Sequence, residues 1–242
     1  MTQIMAHSLL VRTPPYPTRR ALNTVIWAIG IALECILAFT IFFRRIARRF
    51  PFFTALMVFY PVRAAALFVA QGRMDGGLYD SIYGVLSFLE FLLQVFLAVE
   101  VGHRLIREAG GWTGWRRLVP VSIPLAAGVL AWIVGGAVAG KAPADRVEIF
   151  IWFLMIGLFA AAAKGSRAAN PILITAGFAA FSLLQLAALA GRVHAYLGRD
   201  TGQYLAWSYI PAIGYLAVVV FWLIALRREP SPIEAEKSAV SQ

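Results

Sequence analysis

Residues Val147 to Ala163 read VEIFIWFLMIGLFAAAA, the shortest of a series of strongly apolar runs in the chain. A membrane helix needs roughly 20 such residues, rising 1.5 Å each, to cross about 30 Å of hydrocarbon. Seven runs meet that length within the error of their ends, at about 22–43, 51–70, 81–101, 118–139, 147–164, 171–191 and 205–226. Pro51 and Pro171 stand near the first turn of their runs, where a missing backbone N–H costs nothing. The composition agrees: 60% of the residues are hydrophobic and 14% charged, and the mean hydropathy is +0.74. A soluble domain needs more polar surface than this, because water surrounds it. The pattern predicts an all-α fold, a polytopic seven-transmembrane-helix bundle. Residues 1–21 form an N-terminal tail, 22–226 the membrane domain, and 227–242 a polar, disordered tail containing Pro230 and Pro232. The run Met5–Val11 is short and is followed by Pro14, Pro15 and Pro17, so the first tail is expected to be retained rather than cleaved as a signal peptide.

A formal net charge of +10 invites a nucleic-acid partner. The basic residues, however, are almost all arginines in short segments between apolar runs, which is a topogenic pattern. With the N-terminus outside, thirteen basic residues fall on the cytoplasmic side, led by Arg44, Arg45, Arg48, Arg49, Arg104, Arg107, Arg116 and Arg117, against eight outside. Trp112, Trp115, Tyr79, Tyr204 and Trp207 fall where interfacial anchors belong. The expected place is therefore a bacterial inner membrane, with the C-terminus cytoplasmic, lipids as surroundings and no nucleic acid. The one cysteine, Cys35, forms no internal disulfide. A shift of 120 residues lays the first three runs over the last three, Pro51 over Pro171 and Asp80 over Asp200, consistent with a three-plus-one-plus-three repeat.

Three ionisable residues fall deep inside consecutive runs: Glu34, Arg63 and Glu90. Arg63 and Glu90 are expected about 16–18 Å from the cytoplasmic edge and Glu34 about 12 Å from it. Such groups cost roughly 2.5–3.5 kcal/mol each at a helix centre. They persist by facing inward and pairing, and they mark functional sites. Gln94 extends the Glu90 face by one turn toward Glu34. Two readings are open. Arg63 staples three helices through both carboxylates, or the surplus acid holds a proton that a coupled carrier or sensor uses. Glu100, near His103 and Arg104, is expected to form an interfacial ion pair. In the last run Tyr204, Ser208, Pro211, Tyr215 and Trp222 share one face, and Ser182 and Gln185 add polar groups in the sixth. Gln185, Tyr204, Ser208 and Tyr215 are candidate cavity-lining residues, the alternative being interhelical packing. Gly136 and Gly140, with Gly128 and Gly135 nearby, predict a close helix crossing in the fourth run, inside the bundle or with another subunit.

Other seven-helix chemistries lack their residues. Retinal is unlikely, because it needs a lysine in mid-helix, and Lys141, Lys164 and Lys237 are all elsewhere. No other cofactor is indicated. Intramembrane zinc hydrolysis needs clustered histidines, whereas His7, His103 and His194 lie in the tail or at run ends. Haem held between helices meets the same obstacle, and no nucleophile elbow is present. A Pro-Gln pair of the PQ-loop carriers is missing. The basic segment RRIARRFPFF (Arg44–Phe53), the segment AVEVGHRLIRE (Ala98–Glu108) and the aromatic last run resemble an uncharacterised family of bacterial seven-helix proteins. That resemblance implies the topology and no activity. The functions left are a protein that binds, transports or senses a small solute, and an accessory subunit of a larger membrane complex. An enzyme acting on lipid is a distant third.

Overall fold

The computed structural model describes residues 17–44, 46–73, 76–108, 119–138, 143–165 and 169–228. Among them every regular element is a helix: α1 (Pro17–Phe43), α2 (Ile46–Arg49), α3 (Pro51–Arg73), α4 (Gly76–Glu108), α5 (Val119–Val138), α6 (Pro143–Gly165), α7 (Ala169–Leu197) and α8 (Thr201–Arg228). The first helix begins inside the predicted tail, at Pro17, whose fixed φ suits a first helical position. The rest of that tail and residues 229–242 lie outside the described residues. So do Arg45, Trp112, Trp115, Arg116, Arg117, Gly140, Lys141, Arg167 and Lys237.

Six helices, α1, α3, α4, α6, α7 and α8, are long and apolar enough to cross a membrane. They close a ring in which each packs on the next, in the order α1, α3, α4, α6, α7, α8 and back to α1. α5 stands outside this ring against α6, and its apolar stretch Ser122–Gly136 is shorter than the other six.

The distribution of side chains is inverted relative to a water-soluble bundle. Phe39, Phe43, Val99 and Trp132 are 64%, 71%, 63% and 69% exposed, while Arg63 is wholly buried and Glu34 and Glu90 nearly so. Apolar surface on this scale requires an apolar surrounding medium, so the chain has the build of a multi-pass membrane protein.

At the centre of the ring an aromatic trio joins three helices. The Phe178 and Trp222 ring centroids are 4.8 Å apart, Phe53 meets Trp222 edge-on at 5.5 Å, and Phe53 meets Phe178 at 6.2 Å. The Trp222 indole N–H donates to the Leu173 carbonyl at 3.1 Å, which fixes the ring against α7. The backbones of α7 and α8 come close because Gly177 leaves room for Trp222 and Gly191 for Trp207. Gly214 of α8 likewise admits Leu184 of α7, and Gly157 of α6 admits Ile123 of α5. In α5, Gly128 and Gly136 face open space, and only Gly135 meets a neighbour, the Arg146 side chain of α6. The cause is position: α5 is on the outside, with most of its surface turned from the protein. The proposed repeat partners differ locally. Asp200 precedes α8 and accepts the Gln203 N–H at 3.0 Å as an N-cap, whereas Asp80 lies within α4.

Gly177→Ala places a methyl group against a Trp222 ring that cannot move freely. It is expected to lower stability by about 1–3 kcal/mol, whereas Gly136→Ala stays within about 0.5 kcal/mol. Thermal unfolding of the detergent-purified variants, followed by tryptophan fluorescence, checks this; equal shifts would contradict the packing described.

Candidate functional site

Four helices turn one stripe each toward a common space. The stripes are Ser87, Glu90, Phe91 and Gln94 on α4, Glu148, Ile151, Trp152 and Met155 on α6, Phe178, Phe181, Ser182 and Gln185 on α7, and Tyr215, Val218 and Trp222 on α8. All follow the three- and four-residue steps that bring side chains to one helix face. With Tyr60 of α3 they line a cavity of about 370 Å³. That is the size of a small-ligand pocket, which runs to roughly 300–1,000 Å³. Phe178 and Trp222 line one part of it and are also members of the central aromatic trio, so the trio forms a floor.

Arg63 stands behind the α4 wall. Its Nη1 forms an ion pair with Glu90 Oε2, its Nη2 donates to Ser87 Oγ at 3.0 Å, and its Cζ lies 5.8 Å from the Tyr83 ring centroid. The other Glu90 oxygen accepts from Gln94 Nε2 at 3.2 Å, and the same amide nitrogen reaches the Tyr60 hydroxyl at 3.4 Å. A continuous polar chain thus runs from Ser87 through Arg63, Glu90 and Gln94 to Tyr60, joining α3 to α4. Burial of the pair is tolerable because these bonds meet Arg63 Nη2 and the second Glu90 oxygen, while Arg63 Nε is buried without a hydrogen-bond partner among the described residues.

Glu34 is not held by Arg63. Its Oε1 accepts the Tyr215 hydroxyl of α8, and its Oε2 is buried without a hydrogen-bond partner among the described residues. The sequence-based staple of three helices through one arginine is thereby corrected. α1 packs between α3 and α8, and Glu34 binds on the α8 side, so Gln94 extends the Glu90 network toward Tyr60 instead. The two halves meet through Tyr60 and Tyr215, whose rings cross edge-on at 5.9 Å. Glu100 is corrected as well. It accepts the backbone N–H groups of Phe52 at 3.1 Å and Phe53 at 3.4 Å. It therefore caps the first turn of α3, where orphan donors and the helix dipole favour a negative charge. Arg104, its expected partner, is close enough to act on its charge, but its guanidinium lies over the Phe50 ring, 4.3 Å from the centroid.

Of the residues singled out in the sequence, Glu90, Gln94, Ser182, Gln185, Tyr215 and Trp222 line the cavity, with Arg63 behind it and Glu34 bound to Tyr215. Tyr204 and Ser208 belong to an earlier part of α8 and are not among its lining residues. The Ser208 hydroxyl donates back to the Tyr204 carbonyl at 2.8 Å within the helix. Sequence reasoning missed Glu148, Trp152 and Phe181. The signal was present in the stretch quoted first, where Glu148, Ile151, Trp152 and Met155 recur at helical spacing.

No family model, curated protein or solved structure matches this chain. The site therefore has to be read from its own chemistry. Among the described residues no three His, Cys, Asp or Glu side chains gather as a metal site would require. What the cavity does offer is an aromatic wall with carboxylate, amide and hydroxyl groups set into it. The Gln185 carbonyl oxygen is buried and lacks a hydrogen-bond partner among the described residues, so it is an acceptor that a bound molecule would satisfy.

Arg63→Met leaves the Glu90 carboxylate buried without its cation and is expected to destabilise the protein by about 3–5 kcal/mol. Adding Glu90→Gln should restore much of that loss, because the orphaned charge is gone. A double-mutant cycle by thermal or denaturant unfolding in detergent measures this; additive losses would mean that the two side chains do not act as a pair.

Proposed function

We propose that this chain is a seven-helix protein of a bacterial inner membrane that binds or transports a small solute in the cavity between α4, α6, α7 and α8. The observation that carries the reading is the cavity itself: about 370 Å³ at the heart of the ring, with the unpartnered Gln185 oxygen on its wall. Packing alone would fill such a space, since protein interiors are close-packed and buried polar atoms are paired. A solute explains both the volume and the acceptor.

The same reading takes α5 as the seventh span. Its 20 residues make a helix of about 30 Å, equal to the hydrocarbon thickness. Seven crossings put the termini on opposite sides, and the basic residues Arg44, Arg48, Arg49 and Arg104 favour a cytoplasmic position for the end that carries them. In that orientation the lining stripes of α4 and α6 belong to the outer and middle parts of the membrane. The aromatic trio then lies on the cytoplasmic side of the cavity. The solute is accordingly taken from outside, and inward passage requires the Phe53, Phe178 and Trp222 rings to part.

Two measurements test this. A fluorescent protein fused after Gln242 should be bright in bacterial cells, and an export-dependent phosphatase at the same place inactive; the opposite result would reverse the orientation. For the cavity, a solute library screened by thermal shift should yield stabilising compounds whose effect is lost in Ser182→Phe, which fills the space. At about 100 times the Kd, a ligand adds roughly 2.7 kcal/mol. Hits that stabilise Ser182→Phe equally would place binding elsewhere. Stoichiometric partner proteins in native mass spectra, with no ligand found, would favour the accessory-subunit role instead.

A further inference from the structure

One buried carboxyl group is left over once the central ion pair has formed. Arg63 is committed, with Nη1 on Glu90 and Nη2 on Ser87, so the charge of Glu90 is matched and that of Glu34 is not. Glu34 is 7% exposed, and about 14 Å of helix separates it from the end of α1 at Phe43. Its Oε1 accepts the Tyr215 hydroxyl, and its Oε2 is buried with no hydrogen-bond partner among the described residues. α1 packs on α2, α3 and α8. From α8 the titratable group at the carboxyl is Tyr215, and Tyr60 of α3 and Glu90 of α4 lie close enough to act on the two. α2 brings Arg48 and Arg49, which are exposed and follow the far end of α1. The tyrosines are neutral at physiological pH and Glu90 is already paired, so none of the groups beside Glu34 supplies a positive charge.

An ionised Glu34 would be a charge in a low-dielectric interior, held by a single hydrogen bond from a neutral donor. A buried charge without a counter-charge is far costlier than a buried neutral group with one unmet atom, and the usual escape is to take up a proton. The neutral carboxyl keeps the Tyr215 bond and leaves only Oε2 unmet. A glutamine would fill the same place and accept the same bond; what a carboxyl adds is the capacity to gain and lose a proton. Tyr215 also belongs to a second structure, since its ring lines the cavity and meets Tyr60 edge-on. Glu34 cannot shed a proton where it stands, because the charge would remain behind. It can do so once α1 and α8 part and water reaches Oε2.

We propose that Glu34 is a proton-binding site: its carboxyl holds a proton while bonded to Tyr215 and gives that proton to water when the contact of α1 with α8 opens. Closing the contact takes a proton up again. A movement of helices is thereby linked to one proton, and by reciprocity the proton concentration biases the contact toward its closed form. Binding of the proton requires no solute, so this site and the solute-binding reading of the cavity stand or fall separately.

Infrared spectroscopy of the full chain in lipid bilayers at neutral pH reads the protonation state directly. The spectrum of the protein minus that of Glu34→Gln should contain the carbonyl stretch of one protonated carboxyl group. Glu34→Asp should move that band rather than abolish it. Transfer to heavy water should shift the band as the proton exchanges, and Tyr215→Phe should speed the exchange about fivefold, the weight of one hydrogen bond. Each variant is first checked in detergent for a monodisperse gel-filtration profile; should Glu34→Gln fail that check, Glu34→Asp supplies the comparison alone. A difference spectrum that shows only an ionised carboxylate at position 34 would overturn the assignment. A protonated band whose exchange rate is the same in Tyr215→Phe would overturn the gating by the contact of α1 with α8.

Discussion

The ion pair between Arg63 and Glu90 is the constraint around which the rest of the molecule is arranged. A guanidinium with no exposure at all can exist in such a place only if its charge is met locally. Glu90 meets the charge, and Ser87 and Gln94 take up further valences of the pair. To make these contacts α3 and α4 must lie side by side with fixed rotation and register. That rotation turns Ser87, Glu90 and Gln94 toward α6 and α7, so the side chains that steady the pair also become one wall of the cavity. Stability and the proposed binding surface share residues, and a change at Glu90 touches both.

The opposite wall has a different origin. α7 and α8 are drawn together by glycines that admit tryptophan rings, Gly177 for Trp222 and Gly191 for Trp207. In lipid there is little hydrophobic driving force between helices, so close fit and interhelical hydrogen bonds carry the association. The Trp222 bond to the Leu173 carbonyl is one of these, and the Tyr215 bond to Glu34 is another. With one half tied by an ion pair and the other by aromatic packing, the space between them stays open above the Phe53–Phe178–Trp222 floor. A carrier would need the two halves to move relative to each other, and they meet through aromatic contacts, Tyr60 with Tyr215 and Phe53 with Phe178 and Trp222. Such a contact can slide more readily than a salt bridge can break in low dielectric.

Much of this was legible in the sequence. Apolar runs of membrane length located every long helix, because the need to hide backbone and side chains from water or lipid acts on each segment separately. Glu34, Arg63 and Glu90 announced their burial through the cost of placing charge at that depth. Their partners were not legible, since pairing depends on which helices become neighbours. α1 packs on α8 as well as α3, and nothing in the residues around Glu34 states that its acceptor turns to Tyr215. Glu100 misled for a related reason: two basic residues lie near it in sequence, but the backbone donors of Phe52 and Phe53 lie near it in space. Glu148 escaped notice as a charge at the end of an apolar run, where solvated carboxylates are common. The exclusion of α5 from the ring is a property of the whole packing and had no local signal; of its glycines, Gly135 meets α6, while Gly128 and Gly136 face open space.

The central claim is that the molecule is inside out, with lipid on its apolar exterior and, within, an aromatic cavity set with polar groups that water can enter. Adjacent residues of α7 offer the sharpest comparison. Ser182 lines the cavity at 2% exposure, and Leu183 beside it is 56% exposed on the outer surface. With Cys35 changed to serine, Ser182→Cys and Leu183→Cys can be treated in intact membranes with a water-soluble, membrane-impermeant methanethiosulfonate reagent. The account predicts that the cysteine at 182 reacts and the one at 183 does not. Labelling at 183 with silence at 182 would mean that water, not lipid, covers the exterior, and would contradict the membrane-embedded cavity outright.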